Sequence, residues 1–204
     1  MTKVVSPSAS SITPGQVGKL QELLGAALRK SGLQSEPTQQ VLERDGGALA
    51  DEFVASVRKR VEAVSNLITR RVKVDRTRTP QEAIVATSRA QYLDKKVVAT
   101  MPRGEGSEAE VFFFNLGRYV SDDDLEKGYE LRGLKPADLY SVAAVNEVDP
   151  TFADEYPNGT HWKDDKGKWC FATFDRWRDE RYVDVYRFDG RGWSVYWWFA
   201  GLRK

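Results

Sequence analysis

The tryptophans of this chain are confined to its C-terminal part. All six lie between residues 162 and 198, at Trp162, Trp169, Trp177, Trp193, Trp197 and Trp198. Other aromatic residues surround them, and turn-forming sequences interrupt the block at residues 164–167 and 189–192. Large rings at this spacing favour a small antiparallel sheet, because each buried ring removes much apolar area from water. We therefore expect two or three strands here, with Trp169 and Trp197 in the core.

Composition limits the class of protein. The chain has 204 residues, of which 41% are hydrophobic and 30% charged, as is typical of a soluble globular protein. Its formal net charge is +1, so the chain as a whole has no strong attraction for polyanions. A single cysteine, Cys170, excludes an internal disulfide and fits a reducing cytoplasm. No apolar run is long enough for a membrane span, and residues 1–12 predict a disordered tail.

Residues 13–68 predict a helical segment. Thr13-Pro14 begins a first helix with an N-cap residue and a proline at the first helical position. A short second helix is expected to stop at Gly46-Gly47. A third helix then carries one apolar stripe, formed by Leu49, Phe53, Val57, Val61, Val64 and Ile68. These three helices should pack together or against a partner.

Residues 70–204 predict an α+β domain. Alternating residues around Val72 indicate a half-exposed strand, and the apolar run around Phe113 indicates another. Helix starts at Thr79, Ser121 and Pro136 separate the strands. The fold class is therefore α+β, with an N-terminal helical segment followed by a small, mainly antiparallel sheet. Its strands are expected around Val72, Phe113, Phe171, Val185 and Trp197.

Three stretches, at residues 74–80, 101–106 and 158–164, read VDRTRTP, MPRGEG and NGTHWKD. They resemble segments of small uncharacterised bacterial proteins. The resemblance implies a bacterial, cytosolic origin and no particular activity.

Charge is segregated along the chain. Residues 58–78 hold eight basic and two acidic residues, a net charge of +6, whereas residues 105–155 hold four basic and thirteen acidic residues, a net charge of −9. The basic segment predicts one of two roles. It either binds nucleic acid through phosphate contacts or pairs internally with the acidic segment, and the low total charge favours internal pairing. The nucleic-acid candidates are Arg58, Lys59, Arg60, Arg70, Arg71 and Lys73.

Two further patterns bear on chemistry. The run Asp122-Asp123-Asp124 is expected to stabilise a helix N-terminus rather than to bind a metal, because adjacent helical residues point in different directions. A hairpin turn at residues 164–167 would bring His161 near Cys170, but a buried, inert thiol is the expected outcome. The sequence thus assigns no catalytic residue, no metal ligands and no cofactor.

The C-terminal aromatic block is the best candidate for a binding surface. Rings lie on both sides of the last extended segment, and arginines interleave with them. Such a surface suits planar bases or a flat protein partner. The predicted binding residues are Arg176, Arg178, Arg187, Tyr186, Tyr196 and Trp198. The leading hypothesis is a non-enzymatic binding module of the bacterial cytosol that binds a protein partner or self-associates. A nucleic-acid-associated protein is the first alternative, and an enzyme of unknown reaction is the second.

Overall fold

The computed structural model of the protein describes residues 12–65, 67–188, 190 and 192–204. The predicted tail over residues 1–12 therefore lies outside the described residues, apart from the exposed Ile12. The chain divides into two compact units after Ser56, and each is described by itself. The helices are α1 Pro14–Lys30, α2 Ser35–Ser65, α3 Pro80–Val85, α4 Lys95–Val98, α5 Asp122–Leu131, α6 Leu139–Val148 and α7 Phe152–Glu155. The strands are β1 Ile68–Lys73, β2 Ala90–Leu93, β3 Glu108–Asn115, β4 Leu134–Pro136, β5 Asn158–Lys163, β6 Trp169–Trp177, β7 Glu180–Arg187 and β8 Trp198–Arg203.

Residues 12–65 form two helices where three were expected. The Thr13 hydroxyl accepts a hydrogen bond from the Gln16 backbone at the start of α1, as the sequence predicts. The predicted break at Gly46-Gly47 is wrong, because α2 continues through both glycines. Neither glycine adopts the positive φ that commonly ends a helix. Within a helix, each glycine lowers the stability of the helix by only about 1 kcal/mol relative to alanine. The third helix was also expected to reach Ile68, which instead begins β1.

The α+β fold class is confirmed. The described strands form one sheet in the order β1-β3-β8-β5-β6-β7-β2, and β4 pairs with β8 outside this path. Most pairs are antiparallel; β5 with β8 and β2 with β7 are parallel. The last strand, β8, begins at Trp198, later than the aromatic pattern predicts. A turn at Val195-Tyr196 separates Trp193, which bridges to Val120, from β8.

Each face of the sheet carries its own core. Helices α3, α4, α6 and α7 cover the first face, whose buried residues include Phe113, Trp162 and Phe174. Helix α5 packs on the second face, against Phe114 and Trp193. The expectation that Trp169 and Trp197 are buried is wrong. Both are half-buried, Trp169 at the start of β6 and Trp197 just before β8, whereas Trp162 and Trp193 are the buried tryptophans.

Among the described helices, none combines the length and the apolar character that crossing a bilayer requires.

Candidate functional site

Strand alternation sorts the side chains of β2, β6 and β7 by charge. Successive residues of a strand point to opposite faces of the sheet. Register places Thr173 beside Asp184 and Asp184 beside Tyr92. On this second face the three strands carry three carboxylates and no basic side chain. We call this surface the tyrosine–carboxylate face and define it by Tyr92, Asp175, Glu180, Tyr182, Asp184 and Tyr186.

Two of these carboxylates are held in an unfavourable environment for charge. Burial and the neighbouring Asp175 raise the pKa of Asp184 to about 6. Burial also raises the pKa of Asp175, although the Arg176 backbone N–H and the Tyr182 hydroxyl donate hydrogen bonds to it. The carboxylate of Asp184 accepts no hydrogen bond and forms no ion pair within the described part of the chain. At neutral pH this face therefore holds a half-buried negative charge that no described residue neutralises.

Tyrosines surround the carboxylates. The Tyr182 hydroxyl donates to Asp175 Oδ2 at 3.1 Å, and the Tyr92 hydroxyl donates to Glu180 Oε2 at 2.9 Å. The rings of Tyr92 and Tyr182 meet edge to face, with centroids 6.1 Å apart. Solvent reaches a large part of three rings: Tyr92 is 47% exposed, Tyr186 40% and Tyr196 50%. Burial and the charge of Asp175 raise the pKa of Tyr196, whose ring packs on Trp197 with centroids 5.0 Å apart.

The six predicted binding residues do not form one surface. Tyr186 belongs to the tyrosine–carboxylate face, and Tyr196 lies in the turn that precedes β8. The other four lie elsewhere, at Arg176, Arg178, Arg187 and Trp198.

Three of these four side chains contact other residues of the fold. Arg176 and Arg187 point to the opposite face from Tyr186, where they pair with Asp154 and Asp164 respectively. Arg178 occupies the β6–β7 turn with a φ of 54°. Trp198 packs edge to face on Tyr156 with ring centroids 5.1 Å apart. The period-two pattern of β6 and β7 was the signal that separates arginines from tyrosines.

The basic segment pairs with the acidic one, as expected for internal neutralisation. Arg71 contacts Glu110 at 2.8 Å, Arg76 contacts Asp138 at 2.6 Å, and Arg78 contacts Glu147 at 2.7 Å. The Arg70 guanidinium lies 4.5 Å from the centre of the Phe152 ring.

The other nucleic-acid candidates lie on α2 and at the end of β1. Arg58, Lys59 and Arg60 lie on α2, where the side chains of Arg58 and Arg60 are exposed. Lys73 ends β1 and is also exposed. Exposed cations therefore remain at Arg58, Arg60 and Lys73 in addition to the internally paired arginines.

His161 occupies a different setting from the one expected. It pairs with Phe171 across the sheet, whereas Cys170 pairs with Trp162, so His161 and Cys170 point to opposite faces. The cross-strand pairing of His161 with Cys170 that the hairpin turn suggested is wrong, because the register is shifted by one residue. The thiol of Cys170 is buried, and burial raises its pKa.

Two carboxylates of α5 hold the His161 ring. Nδ1 lies 3.0 Å from Asp122 Oδ1, and Nε2 lies 2.8 Å from Glu126 Oε1. Burial opposes the charged ring, but the two hydrogen bonds outweigh it and raise the pKa of His161. The hydrogen bond from His161 lowers the pKa of Glu126. Asp122 thus does more than begin α5, since Ser121 provides the N-cap and Asp122 binds the histidine.

A cleft of about 670 Å³ opens beside this histidine. Pro102, Pro136 and Trp169 contribute to its walls, and Lys163, Arg203 and Glu126 contribute polar groups. Both nitrogens of His161 already face carboxylates, so a proton-transfer role would require Glu126 to leave Nε2 first. Among the described residues, no three His, Cys, Asp or Glu side chains are arranged to hold a metal ion. In this structure the His161 ring therefore links β5 to α5 through its two hydrogen bonds.

Comparison with known proteins assigns this chain to no family. No family model, curated protein or solved structure matches it. The fold defines it as an α+β protein, and its function has to be argued from the arrangement of its side chains.

Proposed function

We propose that this protein is a non-enzymatic binding module of the bacterial cytosol whose tyrosine–carboxylate face binds an arginine- or lysine-bearing segment of a partner protein. The observation that carries the proposal is Asp184, a half-buried carboxylate with no cationic partner among the described residues and with exposed tyrosines around it. The free, buried thiol of Cys170 and the resemblance to bacterial proteins support the cellular setting.

The charge on this face selects the ligand. A carboxylate that is removed from water without a partner costs free energy, and a cation brought beside it recovers part of that cost. Aromatic faces attract cations as well, by about 0.5–2 kcal/mol per contact. Asp175 and Asp184 would supply the charge, while Tyr186 and Tyr196 would supply the ring faces.

Arginine suits this arrangement better than lysine. Its planar guanidinium stacks on rings and forms two parallel hydrogen bonds to one carboxylate, whereas the ammonium of lysine acts as a point charge. Phosphates and other anions are disfavoured at the same surface, because Asp175, Glu180 and Asp184 would repel them.

Fluorescence anisotropy with labelled peptides tests the proposal. We expect an arginine-rich peptide to bind more tightly than a lysine-rich one, and a glutamate-rich peptide not to bind. Asp184→Asn and Tyr186→Ala should each weaken arginine-peptide binding, and affinity should fall as the pH drops below about 6, where Asp184 becomes neutral. The matched controls Asp123→Asn and Tyr119→Ala alter exposed residues outside this face and should bind normally. Binding that ignores Asp184→Asn and Tyr186→Ala would overturn the proposal.

A second function, association with nucleic acid, is favoured by the exposed cations at Arg58, Arg60, Arg71 and Lys73. Phosphate contacts release counterions, so log affinity for mixed DNA and RNA should fall linearly with log salt. Replacing Arg70 and Arg71 by alanine should weaken binding to all sequences alike and flatten the salt dependence by roughly one unit per lost contact. A wild-type protein that does not bind near physiological salt would exclude this function.

A further inference from the structure

Helices α1 and α2 have no core of their own. Between Ile12 and Ser65, none of the residues whose exposure is described is buried. Large apolar side chains are instead exposed along both helices: Leu23 is 56% exposed, Leu42 54%, Val61 60% and Val64 55%. Helices in proteins are stabilised mainly by burying an apolar face, and isolated helices are marginal in water. These two helices therefore present apolar surface that association would bury.

One face of α2 concentrates this apolar surface. A helix turns by about 100° per residue, so side chains at intervals of three or four residues share a face. The α2 stripe, as we call it, consists of Leu42, Leu49, Phe53, Val57 and Val64. Gly46 and Arg60 lie on the same face of α2 as this stripe. Open space surrounds the position that a Cβ of Gly46 would occupy.

Charge is polarised along the same helix. Residues 36–52 of α2 hold five acidic residues and one arginine, a net charge of −4, whereas residues 58–62 hold three basic residues and one glutamate, a net charge of +2. Two copies of α2 lying parallel would place like charges side by side. Two copies lying antiparallel would place the acidic part of each beside the basic part of the other. Opposite charges at such positions favour pairing and fix its direction.

We propose that the α2 stripe is the interface between two copies of this chain, which pair antiparallel about a two-fold axis near Phe53. In this arrangement Phe53 meets its own copy, as an isologous interface requires. Arg60 of each copy lies opposite Asp45 and Gly46 of the other. The missing side chain at Gly46 leaves room for the arginine, and Asp45, whose carboxylate also pairs with Arg44 of its own chain, supplies its counter-ion.

Analytical ultracentrifugation of the full chain provides the first test. We expect the wild type to sediment as a dimer and Phe53→Asp to sediment as a monomer. Ala55→Asp is the matched control, because it adds the same charge on the opposite side of α2 and should remain dimeric. Tryptophan fluorescence verifies folding of the α+β unit independently, since all six tryptophans lie between residues 162 and 198. A monomeric wild type, or equal dissociation by both substitutions, would overturn the proposal.

A charge exchange tests the antiparallel direction. Arg60→Glu and Asp45→Arg should each weaken dimerisation, roughly tenfold or more, because each places like charges opposite one another. Combining them should restore the dimer, since each new charge then faces its opposite. In a parallel pair, position 45 would meet 45 and position 60 would meet 60, so the combination would restore nothing. Failure of the double substitution to restore dimerisation would therefore overturn the antiparallel arrangement. Asp184→Asn should leave the dimer unchanged, because this interface does not involve the tyrosine–carboxylate face.

Discussion

The rings of His161 and Trp169 stack face to face, with their centroids 4.4 Å apart and their planes 10° apart. The Lys163 ammonium lies 4.6 Å from the centre of the same indole, and Tyr129 flanks His161 at 5.7 Å. The electron-rich faces of an indole attract cations. Trp169 therefore supports the protonated form of His161 from one side, while the carboxylates of α5 bind its nitrogens. This arrangement joins β5, β6 and α5 on the second face of the sheet.

Replacing His161 by alanine should destabilise the α+β unit by about 3–5 kcal/mol, because it leaves Asp122 buried without its counter-ion. The loss should depend on pH. The folded-state pKa of His161 is raised, so its stabilising contribution is fully present below the ordinary histidine pKa and disappears as the pH rises through the folded value. Urea unfolding at about pH 5.5 and about pH 9 measures the loss of stability at each pH, and the loss at about pH 5.5 should be larger. Equal losses would argue against a charged His161 in the folded state.

Replacing Asp184 by asparagine should stabilise the protein at alkaline pH. The pKa of Asp184 is raised to about 6, so the folded state disfavours its charge. This penalty is complete above the folded pKa, decreases as the pH falls and vanishes below the ordinary aspartate pKa. In thermal unfolding, the variant should thus have a higher Tm than the wild type at about pH 8 and the same Tm as the wild type at about pH 4. The exposed Asp165→Asn, which alters a carboxylate in the turn between β5 and β6, should match the wild type at both values. A gain independent of pH would exclude charge burial as its cause.

The sequence predicts the class of fold because local patterns determine it. Alternation around Val72 and aromatic residues around Phe171 are properties of single strands, and both segments form strands as expected. The break at Gly46-Gly47 is wrong because glycine only weakens a helix, and no sequence signal there requires a positive φ. Strand β2 has no comparable local signal. It pairs in parallel with β7, more than eighty residues later in the chain.

The candidate site was only partly accessible to sequence analysis. Alternation within β7 alone places Tyr182, Asp184 and Tyr186 on one face, so the separation of tyrosines from arginines follows from a local pattern. The raised pKa of Asp184 does not follow from a local pattern, because it depends on a neighbouring strand and on burial. The partner of His161 is likewise non-local, since Asp122 lies 39 residues earlier on a helix. Tertiary packing, rather than spacing, created both features.

Replacing Arg76 by alanine should cost far more stability than replacing Arg71. The side chains of Arg76 and Asp138 are 11% and 5% exposed, and Arg76 also donates to Ser141 Oγ at 3.0 Å. Removing one member of a buried ion pair leaves the other charge uncompensated, at a cost of about 3–5 kcal/mol. Arg71 is 84% exposed, so the loss of its pair with Glu110 should cost less than about 1 kcal/mol. Urea unfolding compares the two variants directly. Similar losses would show that Asp138 finds another partner.

Replacing Trp193 by alanine should destabilise the second face of the sheet by about 3–5 kcal/mol. The ring is 3% exposed and packs edge to face on Phe199, with centroids 5.3 Å apart, while its Nε1 donates to Asp122 Oδ1 at 3.1 Å. Trp177 is 69% exposed, and Trp177→Ala should leave stability nearly unchanged. Trp193→Phe separates the two contributions, because it keeps most of the apolar contact and removes the N–H donor. Its stability should lie between those of the wild type and Trp193→Ala, since a buried carboxylate then loses one hydrogen bond. A Trp193→Phe variant as stable as the wild type would show that packing alone accounts for the role of Trp193.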